Sequence, residues 1–163
     1  MNEKTHDRSF RALLATQFFG AFNDNVFQVV VALLLVRWLD ELTARKLVAA
    51  SGVVFALPFL LFSLAAGRLA DRWSKRRIIV LAKALDILVV AIAITGIYSK
   101  SIPLILAGLF LLAVQSAFFG PAKYGILPEL KSEAGLSMAN GFLNGATVVA
   151  ILLGNVAGTL LIG

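Results

Sequence analysis

An all-α polytopic membrane protein is the fold class this sequence predicts, and three observations carry it. Apolar residues make up 60% of the chain, against about 45–50% in a soluble domain, and the mean hydropathy is +0.90. The excess is gathered into runs of roughly 20 residues, enough to cross a hydrocarbon core about 30 Å thick at a rise of about 1.5 Å per residue. Basic residues collect at the ends of those runs, where membrane topology explains them. The net charge of +6 therefore implies no nucleic-acid partner, although a basic chain raises that question.

Taken in order, a polar tail over residues 1–11 leads into a first span over about 12–36. That run is longer than the apolar core of a signal peptide and has no small-residue cleavage site, so it reads as an uncleaved span. Arg37 and Trp38 mark the interface at its far end, and a polar connection runs from Asp40-Glu41 to Arg45-Lys46. Span 2 covers about 47–66 and carries Pro58, which spans tolerate where neighbours satisfy the freed backbone groups. Span 3 covers about 78–98, and a tight turn over Ser99 to Pro103 follows. Span 4 covers about 104–127 with Gly120-Pro121 inside it. A short polar connection from Pro128 to Leu136 leads to span 5, over about 138–163. The last residues, Leu160-Leu-Ile-Gly163, are still apolar, so the chain reads as the front part of a longer protein.

Between spans 2 and 3 lies the most charged stretch, Gly67-Arg-Leu-Ala-Asp-Arg-Trp-Ser-Lys-Arg-Arg77. Gly67 is expected to end span 2 in a left-handed turn. Asp71 is one anion among five cations, and Trp73 suits the headgroup layer. A plain topogenic loop explains the cations but leaves the glycine and the acid at their offsets unexplained.

The pattern Gly67-x3-Asp71-Arg72-x2-Lys75-Arg76 resembles the motif between spans 2 and 3 of major facilitator superfamily transporters, with Ser74 where that family usually has a second glycine. Two further stretches, Thr16-Gln-Phe-Phe-Gly-Ala-Phe-Asn-Asp-Asn25 and Phe119-Gly-Pro-Ala-Lys-Tyr-Gly-Ile-Leu-Pro-Glu129, resemble bacterial lysophospholipid transporters. In some bacteria that transporter module is fused to acyltransferase and acyl-ligase domains. The resemblance implies the first five transmembrane helices of an N-terminal six-helix bundle, with the C-terminal half of the transporter missing. It also implies phospholipid or lysophospholipid as cargo. In that superfamily the acid matching Asp71 helps to hold the cytoplasmic side closed. Gly67, Asp71, Arg72, Lys75 and Arg76 are then expected to form half of a conformational latch.

The cargo residues are expected among the polar groups inside the spans. Asp24 lies about 18 Å along span 1 from its start, and a carboxylate at that depth costs at least about 2.5 kcal/mol. Gln17, Gly20, Ala21, Asp24 and Gln28 fall at three- and four-residue steps and make one narrow polar stripe, flanked by Asn23 and Asn25. This stripe is either a cavity lining or an interior hydrogen-bond network. In the family the sequence resembles, spans 1 and 4 line the central cavity. Gln115, Ser116, Phe119 and Lys123 share one face of span 4. Lys123 either snorkels to the interface or meets a lipid phosphate or Asp24. The two charges differ in depth by on the order of 10 Å, which suits the two ends of a zwitterionic headgroup, with Phe118, Phe119 and Tyr124 as apolar contacts. Lys83 and Asp86 read as a local ion pair in span 3. Gly141-x3-Gly145 and Gly154-x3-Gly158 in span 5 read as helix-packing surfaces.

Three other functions compete with lysophospholipid transport. A proton-coupled exporter of drugs or metabolites would use Asp24 as proton carrier. A half-module, inactive alone, would be part of a larger acyltransferase fusion. A membrane enzyme is disfavoured, because the single histidine, His6, lies in the tail and the residue five positions on is Arg11, not an acid. A Ser-His-Asp set, a zinc cluster and cysteine chemistry have no residues to build on. No cofactor or metal is expected.

Orientation follows from the basic residues near the span ends. Lys4, Arg8, Arg11, Arg68, Arg72, Lys75, Arg76, Arg77 and Lys131 share one side, and Arg37, Arg45, Lys46 and Lys100 the other. The richer side is cytoplasmic, which places the N-terminus and the 67–77 hinge inside a bacterial inner membrane. The chain has no cysteine, so a single cysteine introduced at Ser74 is a clean probe. It is expected to resist an impermeant thiol reagent in intact cells and to react after lysis. Labelling from outside would reverse the topology.

Overall fold

The computed structural model describes residues 3–163, with side chains from residue 6 onward. Residues 1 and 2 of the expected tail, and the side chain of Lys4, lie outside the described residues. The described residues form six helices and no strand: α1 (Glu3–Trp38), α2 (Glu41–Arg72), α3 (Lys75–Tyr98), α4 (Ile102–Gly125), α5 (Leu127–Leu130) and α6 (Glu133–Ile162). All but α5, a single turn, are long and apolar enough to cross a membrane. Large apolar side chains stand outward along them, such as Leu60, Ile87 and Leu160, each at least three-quarters exposed. In water that would be a liability; in a bilayer it is the lipid-facing surface.

The helices outrun the apolar segments. α2 has 32 residues, about 48 Å of helix, so it projects beyond the hydrocarbon layer or tilts within it. Capping chemistry explains its early start. The Asp40 carboxylate accepts the Thr43 backbone N–H at 3.0 Å, and Glu41 pairs with Arg45 one turn on. The Asp40 carboxyl is held below its usual range, first by the Thr43 backbone N–H and then by the Thr43 side chain. The polar connection expected over residues 40–46 is therefore mostly helix.

Gly67 does not end α2, contrary to the sequence expectation. The helix runs on to Arg72, and no glycine has a positive φ. The stop is made one turn later, where the Trp73 backbone N–H donates to the Leu69 carbonyl at 2.8 Å. Trp73 and Ser74 are both extended, and the Ser74 carbonyl accepts the first intrahelical bonds of α3, from Arg77 and Ile78. Two extended residues make the whole reversal, so neither a left-handed Gly67 nor a glycine at Ser74 is required.

The turn between α3 and α4 does use the left-handed region. Lys100 has φ 51°. The Ser101 N–H bonds the Gly96 carbonyl at 2.9 Å and the Lys100 N–H bonds the Ile97 carbonyl at 3.2 Å. This is a Schellman closure with lysine where glycine is usual.

The chain forms two compact units, Met1–Val29 with Lys123–Gly163, and Val30–Ala122. In the first, α6 lies along the middle of α1 at very close range. A Cβ on Gly154 would stand 2.7 Å from the Phe22 carbonyl oxygen and 3.0 Å from Asn25 Cβ; one on Gly158 would stand 2.9 Å from Val29 Cβ. Gln17 reaches Thr147 in the same register. Contacts that advance together along both helices mean that α1 and α6 run parallel, as spans 1 and 5 must. At one end of this unit Lys131 pairs with Asp7 and lies over the Phe10 ring. The Lys131 hydrogen bond and its charge hold the Asp7 carboxyl below its usual range. The start of α1 and the α5–α6 connection thus share a side, as an even number of crossings demands.

In the second unit α3 and α4 run antiparallel. Gly96 meets Ile105 near the turn, and Lys83 meets Phe119 four turns away. Phe62 of α2 packs on Phe118 of α4 at 6.0 Å, and Ala70, Ile78 and Ala122 form a small buried cluster at the hinge end. Pro58 is fully buried within α2.

The two glycine pairs of α6 behave differently. Gly154 and Gly158 carry the close approach to α1, whereas Gly141 and Gly145 have nothing within 4 Å. Replacing Gly154 by Ala is expected to destabilise the protein by about 1–3 kcal/mol, because backbone must move to admit the methyl group. Gly141→Ala is expected to be neutral or to stabilise by up to about 1 kcal/mol through helix propensity. Thermal unfolding in detergent reads both, and equal tolerance at the two positions would contradict the parallel packing.

Candidate functional site

The polar stripe of α1 is built by helical spacing alone: no residue between Gln17 and Gln28 breaks the helix. Asn23, Asp24, Asn25 and Gln28 are all half-buried, and the Asp24 Oδ1 atom is buried. Their neighbours divide them. Gln17 is only 6% exposed and donates to the Thr147 hydroxyl at 2.7 Å, which donates in turn to the Leu143 carbonyl. Asn25 donates to the Ala21 carbonyl at 2.8 Å and turns its Cβ toward Gly154. Gln17 thus ties α1 to α6, whereas the Asn25 amide is bonded within α1. Asn23, Asp24, Asn25 and Gln28 are the stripe's candidates for cargo contact.

On α4, Lys123 is 8% exposed, and its Nζ lies 4.5 Å from the centre of the Tyr124 ring. The ammonium is kept within the protein against an aromatic face, where cation–π attraction offsets part of its desolvation. Tyr124 itself donates to Asn144 of α6 at 3.0 Å, which fixes the ring beneath the charge. Lys123 belongs to the same compact unit as the α1 stripe.

Gln115 and Phe119 belong to the other unit. Gln115 is 2% exposed; its amide donates to Ser116 at 2.8 Å, and its Oε1 is buried with no hydrogen bond. Phe119 is buried beneath Lys83, whose Nζ lies 4.8 Å from the ring centre and 2.6 Å from Asp86. The Lys83–Asp86 pair is therefore local, as its spacing predicts, but it also ties α3 to α4 through Phe119. Sequence reasoning missed that tie and the Thr147 anchor. The signal for each was a polar side chain, Lys83 or Thr147, within a membrane-length apolar run.

The hinge residues are mostly on the surface. Asp71, Arg72 and Arg76 are exposed, and Gly67 and Lys75 are half-buried. A Cβ at Gly67 would meet nothing within 4 Å, so no close approach requires glycine there. Among the described residues no group of His, Cys, Asp and Glu could hold a metal ion.

Helices of membrane length and composition define a polytopic α-helical membrane protein. The sequence profile of the Major Facilitator Superfamily matches residues 10–163, and the chain belongs to that superfamily. It is similar to the lysophospholipid transporter LplT of Escherichia coli O1:K1, at 34% identity over 99% of this chain and 40% of the relative. The LplT proteins of Escherichia coli strain K12 / DH10B and of Shigella boydii serotype 18 match to the same extent. The chain thus spans about 40% of the length of the curated relatives it matches. No solved structure matches.

Proposed function

We propose that this chain is the leading part of a transporter that moves lysophospholipid across the bacterial inner membrane by alternating access. The observation that carries the reading is the likeness to LplT over 99% of the chain, which includes the stretches bearing Asp24 and Lys123. The resemblance of the sequence to transporters found fused to acyltransferase domains supports such a domain as a candidate neighbour. The chain itself acts as transporter, not enzyme. A second half, absent from these residues, completes the cavity and alternates against this one about a midplane site.

In this reading Asp24 receives the cationic end of the headgroup and Lys123 its phosphate. Asn23 and Gln28 supply neutral hydrogen bonds beside Asp24. Gln115, with a buried acceptor atom to spare, and Phe119 contribute from α4. Asp24 and Lys123 are ionisable groups within membrane-length helices, where such groups mark substrate and ion pathways, and a cargo bearing both charges complements them. The N-terminus is cytoplasmic. Asp71 is exposed and makes no ion pair among the described residues, so it is available to a helix of the second half. With Gly67, Arg72, Lys75 and Arg76 it forms this half of the latch.

Asp24→Asn and Lys123→Ala in the full-length protein are each expected to lower uptake of a labelled lysophospholipid by about ten-fold or more at unchanged abundance. That is the scale of losing one charge-assisted hydrogen bond. Wild-type uptake by both variants would remove these residues from the cargo site.

A further inference from the structure

The α2–α3 hinge carries a groove that cargo binding does not use and that shares only Arg76 with the latch. Ser74, Arg76, Arg77, Val80 and Leu81 line a shallow groove of about 540 Å³ at the start of α3. All five lie in one compact unit. Arg76 and Val80 are one turn apart on one column of the helix, and Arg77 and Leu81 one turn apart on the next. Each column therefore has a guanidinium at the helix start and an aliphatic side chain about 6 Å deeper along the axis. Side chains lean toward the N-terminus of their helix, which carries the two guanidinium groups further toward the headgroup layer.

All four side chains are accessible. Arg76 and Arg77 are exposed, and Val80 and Leu81 are 59% and 53% exposed. Neither arginine makes an ion pair among the described residues. Trp73, 52% exposed and three residues before Arg76, is the residue type that marks the membrane interface. The Ser74 side chain makes no capping hydrogen bond to α3, so its hydroxyl is open to the groove.

We infer that this groove holds an anionic diacyl phospholipid of the leaflet bordering the hinge. Its phosphate lies between Arg76 and Arg77, and an acyl chain runs along Val80 and Leu81. Charge complementarity selects the occupant. Two unneutralised cations at the level of the headgroups attract a net anion, and arginine forks match phosphate oxygens bidentately. The aliphatic pair directly below requires that the anion carry a hydrocarbon chain. A soluble phosphate would leave Val80 and Leu81 unused, and a zwitterionic lipid would bring a second cation toward the arginines. The inference rests on the chain being a membrane protein and not on its cargo.

Native mass spectrometry of the full-length protein, purified in mild detergent and supplied with phosphatidylglycerol or phosphatidylcholine, tests it. Wild type is expected to retain phosphatidylglycerol about thirty-fold more tightly than phosphatidylcholine, the scale of two cations at an anionic surface. Arg76→Gln with Arg77→Gln is expected to remove most of that preference, and Arg76→Lys with Arg77→Lys to keep part of it. Val80→Ser with Leu81→Ser is expected to weaken retention while leaving sensitivity to salt intact. An unchanged preference in the double glutamine variant would overturn the site. Displacement of the lipid by millimolar inorganic phosphate would overturn it in favour of a simple anion site. Lysophospholipid uptake is measured in parallel. In Arg77→Gln alone, which leaves the latch residue Arg76 in place, weakened lipid preference with uptake retained supports the groove as separate from the cargo path, and an unchanged lipid preference counts against it.

Discussion

Inside a bilayer no water is available to a polar group, and the arrangement of this protein follows from that constraint. Backbone groups are satisfied within helices, which is why the described residues contain helices and short turns and nothing else. The hydroxyls obey the same rule. Thr16, Thr95, Thr147 and Thr159 each donate to the carbonyl four residues back, and Ser51 to the carbonyl three back. A hydroxyl that bonds its own helix costs little in lipid and leaves helix–helix contact to other groups.

Those other groups are of two kinds. Gly154 and Gly158 bring α6 against the α1 backbone so closely that a methyl group would not fit, and dispersion between well-packed backbones then does what the hydrophobic effect cannot do in lipid. Gln17 with Thr147, and Lys83 with Asp86 and Phe119, add polar ties at single points. The division has a functional consequence. Where a polar side chain is spent on a neighbouring helix, as at Gln17, it is not available to cargo. Asp24 and Lys123 stand out because burying them is expensive and helix packing alone does not call for charge.

The number of spans, their order and the local Lys83–Asp86 pair were legible in the sequence, because membrane length and helical spacing leave little choice. Helix ends were not. Hydropathy marks where a helix meets lipid, not where it stops: Glu41 and Arg45 are polar yet helical, since Asp40 caps them and they pair one turn apart. Gly67 misled for a related reason. Glycine permits a left-handed stop but does not compel one, and the hydrogen bond from Trp73 to Leu69 closes the helix without it. The two α6 glycine pairs look alike as sequence, and only the position of α1 makes one of them a contact. Among the candidate site residues, sequence spacing identified the stripe on α1. Which of its members was already committed to Thr147 depended on a neighbour that spacing does not show.

The central claim is that these helices belong to a pathway for a lipid with one acyl chain. Reconstitution tests it most directly: the full-length protein in sealed proteoliposomes, with fluorescent lysophosphatidylethanolamine added outside and its arrival in the inner leaflet followed by quenching. The account predicts translocation well above that of protein-free liposomes, competed by unlabelled lysophospholipid and not by unrelated amphiphilic cations. Movement no faster than in empty liposomes, or transport of the cations in its place, would contradict it.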